Sequence, residues 1–139
     1  MRKNDPIAHI MATEVATVQQ GQPLSDVYCL IGNHNIHHVP VLDGKKLVGL
    51  VSFTDIMKLN LALEGVDAHT LQAVIDQQFT LEGVMSTNLA TITTGQTVRD
   101  AAEVLGSGEF HSLPIVNEAG ELAGIVTSTD LIRYLSDQY

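Results

Sequence analysis

The sequence predicts an α/β fold built twice, each copy reading short strand, helix, hairpin, helix. Three observations predict it. The string His37-His38-Val39-Pro40-Val41 returns as His111-Ser112-Leu113-Pro114-Ile115, and Gly49-Leu50-Val51-Ser52-Phe53-Thr54-Asp55 returns as Gly124-Ile125-Val126-Thr127-Ser128-Thr129-Asp130. Apolar residues at three- and four-residue spacing follow a short β-rich segment in each copy. Each copy also holds two apolar runs joined by a turn, Asp43-Gly44 in the first. A tandem repeat of this kind decides the fold before any other signal. It also implies that a site built by one copy has a pseudo-symmetric twin.

In the first copy, Met11-Ala12-Thr13 leads to Ala16-Thr17-Val18, a short strand that Gly21-Gln22 ends. Pro23 suits the first turn of a helix. Leu24, Val27, Leu30 and Ile31 form one helical face, and Gly32-Asn33 is a stop signal. Residues 38–42 read as a strand, and Asp43-Gly44 as a tight turn, since both tolerate positive φ. Residues 47–53 are a near-continuous apolar run, expected of a strand buried on both faces. Thr54-Asp55 then opens a helix to Leu63.

The second copy repeats the order. Met85-Ser86-Thr87 leads to Ala90-Thr91, and Thr97 opens a helix with Val98, Ala101, Ala102 and Leu105 on its apolar side. Gly106-Ser107-Gly108 ends that helix. Residues 113–116 and 122–127 form the hairpin, and Thr129-Asp130 opens the last helix, to about Leu135. Residues 64–79 have no counterpart. Val66, Thr70, Leu71, Val74, Ile75 and Phe79 keep a helical spacing, so a helical connector is expected, with Asp67, Gln72, Asp76 and Gln77 on a solvated face. The expected division is 7–64, a connector 65–79, and 80–138, with the halves forming one structural unit because each alone buries a core only marginally.

With 139 residues, 45% apolar and 17% charged, the composition fits a compact globular chain. The formal charge of −9 and the lack of clustered Lys and Arg speak against nucleic acid as a partner. Cys29 is the single cysteine, so no intramolecular disulfide or cysteine zinc cluster is expected. Beside Leu30 and Ile31 it reads as a small buried apolar residue. No run approaches the ~18 residues of a membrane span, and no apolar stretch follows the first residues as in a signal peptide. A cytoplasmic protein without membrane attachment is the expectation.

The repeated strand-to-helix string carries chemistry. The first N–H groups of a helix favour an anion. The hydroxyls of Ser52 and Thr54, or Thr127 and Thr129, can donate to phosphate oxygens. The carboxylates of Asp55 and Asp130 accept two hydrogen bonds each, which suits the paired hydroxyls of a ribose. The same residues also serve as ordinary helix caps.

With these pieces in order, the chain resembles a tandem pair of CBS domains, also called a Bateman module, across nearly all of 7–137. The resemblance implies two β-α-β-β-α units packed about a pseudo-twofold axis, with adenosine-containing ligands bound in clefts between the copies and no catalysis. It implies that Asp55 and Asp130 hold ribose hydroxyls, and that Ser52, Thr54, Thr127 and Thr129 reach ribose or phosphate. Backbone groups at Ala16-Thr17 and Ala90-Thr91 meet the adenine edge, and Val39-Pro40 and Leu113-Pro114 wall the base. His37 and His111 match between copies and share a packing or cleft role. Before the hydrophobe-Pro pair, where a basic residue often stands in the family, this chain has His38 and Ser112. The site with His38 is expected to take AMP, ADP or ATP. The other takes an uncharged adenosyl group such as S-adenosylmethionine, or stays empty.

Lys58 and Arg133 follow each Asp by three residues, and pairing with Asp55 and Asp130 is weighed ahead of phosphate contact. Met57, Leu61, Leu105, Ile132 and Leu135 are either core or a self-association surface, and a homodimer is expected. The resulting expectation is a stand-alone regulatory module, without a required cofactor, that senses an adenosyl ligand and relays occupancy to an effector protein. Its rivals are a dimeric scaffold that binds no nucleotide, and a metal-binding protein using histidines such as His34, His37 and His38.

Overall fold

The computed structural model describes residues 4–34, 36–67 and 69–139, without the side chains of Asn33 and His34. It has the predicted α/β fold, with two three-stranded sheets, and the chain divides into two compact units. One unit is contiguous, Ala16–Leu89; the other combines Met1–Val15 with Ala90–Tyr139. Thus the sequence repeats and the compact units have different boundaries.

In the contiguous unit, β1 (Val18–Gln19), α1 (Leu24–His34), β2 (His38–Asp43), β3 (Lys46–Ser52) and α2 (Phe53–Ala62) are followed by α3 (Leu71–Gln78) and α4 (Leu81–Val84). The sheet order is β1-β2-β3, with β1 parallel and β3 antiparallel to β2. Gly44 takes the hairpin turn at φ 64°. Val39, Val41 and Val51 alternate inward with period two and pack with Leu24, Val27, Ile56 and Ile75 in one core.

Three expectations change here, and Asp76 gains a partner. The stop at Gly32-Asn33 is not used, and α1 continues through His34. Gly32 is not among the glycines at positive φ, so it acts as a weak helix former. The connector is helical only over Leu71–Gln78, because turns led by Leu63, Gly65 (φ 89°) and Asp67 precede it. Asp76 is exposed, as expected, but its carboxylate is engaged there. Its Oδ1 accepts from the Ser25 N–H at 2.9 Å and its Oδ2 from the Ser25 hydroxyl at 2.6 Å. Pro23 precedes α1 and has no side-chain oxygen, so the connector supplies the acceptor that a helix start requires. Cys29 is half-buried rather than buried, and its Sγ accepts from Gln72 Nε2 at 3.1 Å.

The discontinuous unit holds β4 (Ile92–Thr93), α5 (Val98–Leu105), β5 (Ser112–Val116), β6 (Leu122–Thr127) and α6 (Ser128–Asp137), in sheet order β4-β5-β6. The leading segment of the chain is built into it. Ile7, in a single 3-10 turn (Ile7–His9), is 0% exposed in a core with Ile92, Ala101, Leu113 and Val126. The Val98 N–H donates to the Asp5 carbonyl at 2.8 Å, and Ala12 and Ile125 exchange N–H to carbonyl bonds of 2.9 and 3.0 Å. The Tyr134 hydroxyl on α6 donates to Asp5 Oδ2 at 2.6 Å. Leu105, weighed above for a surface, is also in this core.

The contiguous unit mirrors the arrangement. Leu81 takes the place of Ile7 in its core, and Ser86 and Leu50 exchange N–H to carbonyl bonds of 2.9 and 3.0 Å. Each sequence repeat therefore lends its leading segment to the unit of the other. The glycines of the repeated string let these segments approach. A Cβ on Gly124 would lie 2.7 Å from the Ala12 carbonyl oxygen, and one on Gly49 would meet the Met85 side chain.

Gly124→Ala is expected to lower stability by about 1–3 kcal/mol, because backbone blocks the added methyl. Gly49→Ala costs less, since the methionine can turn aside. Denaturant midpoints of the two variants check the order. Ile7→Ala is expected to cost about 2–5 kcal/mol, although Ile7 stands more than 80 residues from Ile92 in sequence; the same midpoint measurement reads it.

Candidate functional site

The expected site residues fall into two sets, and each set lies within one compact unit. In the contiguous unit, β2 runs parallel to β1 with Val18 opposite Val41, which brings Ala16-Thr17 to the same sheet end as Val39-Pro40. His38 pairs with Ser52 across the hairpin. In the other unit, Ile92 opposite Ile115 brings Ala90-Thr91 to the end of Leu113-Pro114, and Ser112 pairs with Thr127.

At both corners the strand ends in a helix N-cap, and the cap is Ser52 or Thr127 rather than the following Thr-Asp. The box is reciprocal. The Asp55 N–H donates to Ser52 Oγ at 3.2 Å, and Asp55 Oδ2 accepts from the Ser52 N–H at 2.9 Å and hydroxyl at 3.0 Å. Thr127 and Asp130 repeat these three bonds, in the same order, at 3.3, 2.8 and 3.1 Å. A capping box satisfies donors at the helix start that would otherwise be unpaired. Its carboxylate also opposes the positive end of the helix dipole.

The boxes redistribute the expected roles. A Ser or Thr hydroxyl has one proton, and those of Ser52 and Thr127 are given to the carboxylates. They are therefore acceptors toward anything else, not phosphate donors. The hydrogen bonds described for the Asp55 and Asp130 side chains all end on Oδ2, and none ends on Oδ1. Thr54 and Thr129 are exposed at the second helical position. Lys58 and Arg133 are exposed as well. The ion pairs among the described residues are Asp5–His9 and Arg99–Glu103, so the expected pairing with Asp55 and Asp130 does not form. The caps draw the carboxylates back toward the strand ends, away from the cations one turn on.

Val39 and Leu113 are 0% exposed and turn into the cores, so they offer a ligand backbone rather than side chain. His38 and Pro40 point to the other face of β2. His38 is half-buried, while Ser112 in the matching position is buried at 5% exposure.

Three features escaped sequence reasoning. Thr97 and Asp100 form a third box of the same geometry, 2.9, 3.1 and 3.2 Å, at a helix outside the repeated string. The sequence signal was Asp three residues after Thr. Asp76 is the second. The third is Phe53, whose ring stacks on His37 with centroids 5.5 Å apart and planes inclined by 26°. Its signal was the replacement of Phe53 by Ser128 in an otherwise repeated string.

Among the described residues no group of three or more His, Cys, Asp or Glu stands together as a metal site, and the His34 side chain lies outside them. No described helix is long and apolar enough to cross a membrane.

Comparison with known proteins bears on this geometry. The family model for the CBS domain matches residues 7–62 and 81–137. Protein MJ1225 of Methanocaldococcus jannaschii is 23% identical over 137 residues, 96% of this chain and 48% of that protein, so the chain spans about half its length. The CBS domain pair of protein MJ0100, solved in complex with 5′-methylthioadenosine and S-adenosyl-L-methionine, superposes with TM-score 0.79 at 24% identity, covering 98% of this chain and 99% of that one. CBSX2 of Arabidopsis thaliana, solved in complex with AMP, gives TM-score 0.79 at 23% identity, covering 96% and 98%. At such identities the two solved structures bear on the fold alone, and the family rests on the two matched segments. A duplicated strand-helix-hairpin-helix unit, matched twice over most of its length, belongs to the CBS domain family.

Proposed function

We propose that this chain is a regulatory module that binds adenosine-containing ligands at the two strand-to-helix corners and relays occupancy to a partner protein. The observation that carries the reading is the repeated box at a helix start, in which one carboxylate oxygen is anchored and no described hydrogen bond ends on the other. Oδ1 of Asp55 or Asp130 accepts from a ribose hydroxyl without dismantling the cap. The exposed hydroxyls of Thr54 and Thr129 donate nearby. Backbone at Ala16, Val39, Ala90 and Leu113 addresses the base. The adenosyl ligands of MJ0100 and CBSX2 support the ligand class.

The two corners differ in one titratable residue. His38 stands half-buried where Ser112 is uncharged and buried, so the first corner takes AMP, ADP or ATP. The second takes an adenosyl group without phosphate, such as S-adenosylmethionine, or stays empty. The ligand acts by population shift, biasing the module only as far as it prefers one of two states.

A second reading, a dimeric interaction module indifferent to nucleotides, is favoured by the exposed apolar residues Phe53, Met57 and Leu61 on α2, and Ile132 and Leu135 on α6. Both readings allow a homodimer.

Calorimetric titration with AMP, ATP and S-adenosylmethionine separates them. Saturable binding of AMP at one site per chain is expected. Two equal ATP sites would remove the asymmetry, and no heat from any ligand would leave the interaction reading. Asp55→Ala, Asp130→Ala and Asp100→Ala each lose a box and are expected to cost about 0.5–2 kcal/mol. Binding is lost at the matching corner in the first two and retained in Asp100→Ala, as titration of the three variants beside their melting curves will read.

A further inference from the structure

Phe53 occupies the first position of α2, immediately after the cap Ser52. Its N–H donates to the His37 carbonyl at 2.7 Å, and its ring lies against the His37 imidazole. Both residues are exposed, Phe53 at 44%, and Phe53 takes no part in the core of its unit. The other corner keeps the backbone bond, Ser128 N–H to the His111 carbonyl at 3.2 Å, but carries a hydroxyl in place of the ring. A large apolar side chain that is half in water and outside the core has its effect on what it touches. An exposed imidazole turns freely about two bonds, and immobilising it on binding a ligand costs entropy. A stacked ring removes part of that freedom beforehand. The imidazole so held keeps a ring N–H donor beside the first turn of a helix, where negative charge is favoured.

We propose that Phe53 is a positioning residue of the first corner: it holds the His37 imidazole as a donor to the anionic group of a phosphate-bearing nucleotide. The first corner thereby reads phosphate, and the second, lacking the ring, does not. The inference rests on the adenosyl-binding reading and adds the residue that sets the ligand class of the first corner.

The test compares AMP with adenosine, which share base and ribose and differ in the phosphate. Calorimetry in an Asp130→Ala background reads the first corner alone. Phe53→Ser is expected to weaken AMP roughly tenfold while adenosine stays within about twofold. Phe53→Tyr restores AMP. His37→Ala gives the same loss as Phe53→Ser, and the double variant adds nothing to it. In an Asp55→Ala background, Ser128→Phe strengthens AMP over adenosine at the second corner. Equal weakening of both ligands by Phe53→Ser, or an unchanged ratio, overturns the inference while Asp55-dependent binding keeps the wider reading. Failure of the Asp130→Ala protein to bind either ligand overturns both.

Discussion

The paired backbone hydrogen bonds that dock each repeat's leading segment onto the other repeat's hairpin are what the rest of the structure depends on. Ala12 meets Ile125, and Ser86 meets Leu50. β3 and β6 are last in their sheet orders, and an open strand edge invites unwanted pairing. The docked segments cover both edges. They also deliver Ile7 and Leu81 to cores that would otherwise hold cavities. The glycines of the repeated string follow from the same docking, because the passing chain leaves no room for a Cβ at Gly124. The strands so covered end in Ser52 and Thr127, and the candidate corners inherit their position from these bonds.

Helix starts are the second organising theme. Three helices close with a Ser or Thr and an Asp three residues on. α1 has Pro23 at the matching place and borrows Asp76 from α3 instead. The box at Thr97 shows that this geometry also arises outside the repeated string. The boxes at Ser52 and Thr127 differ from it in setting: each stands at the end of a hairpin strand, beside His37-His38 or His111-Ser112. A cap and a ligand contact are compatible there because a carboxylate has two oxygens, and the cap uses one.

Most of the fold was legible. The duplicated strings, the Asp43-Gly44 turn and the apolar periodicity predicted five elements per repeat in the right order, since each records a local constraint on φ or on burial. What local signals do not carry is which distant segment completes a core. Met11 and Met85 were visible as repeats, but nothing near them in sequence shows that they cross to the other repeat's glycine. The bonds from Ser25 to the exposed Asp76 carboxylate are hidden for the same reason, the two residues lying far apart along the chain. At the candidate corners, the residue types were legible and the proton traffic was not. That the Ser52 hydroxyl is already spent on Asp55 is a matter of three-dimensional placement.

The exchange of leading segments also sets an order of assembly. As the chain is synthesised, all of Ala16–Leu89 is available before Ala90–Tyr139 exists, so the contiguous unit can complete its core first. Ile7 and Met11 are made before the contiguous unit, yet the strand they dock on, β6, follows it. They are thus synthesised before that unit and buried after it, when the discontinuous unit closes around them.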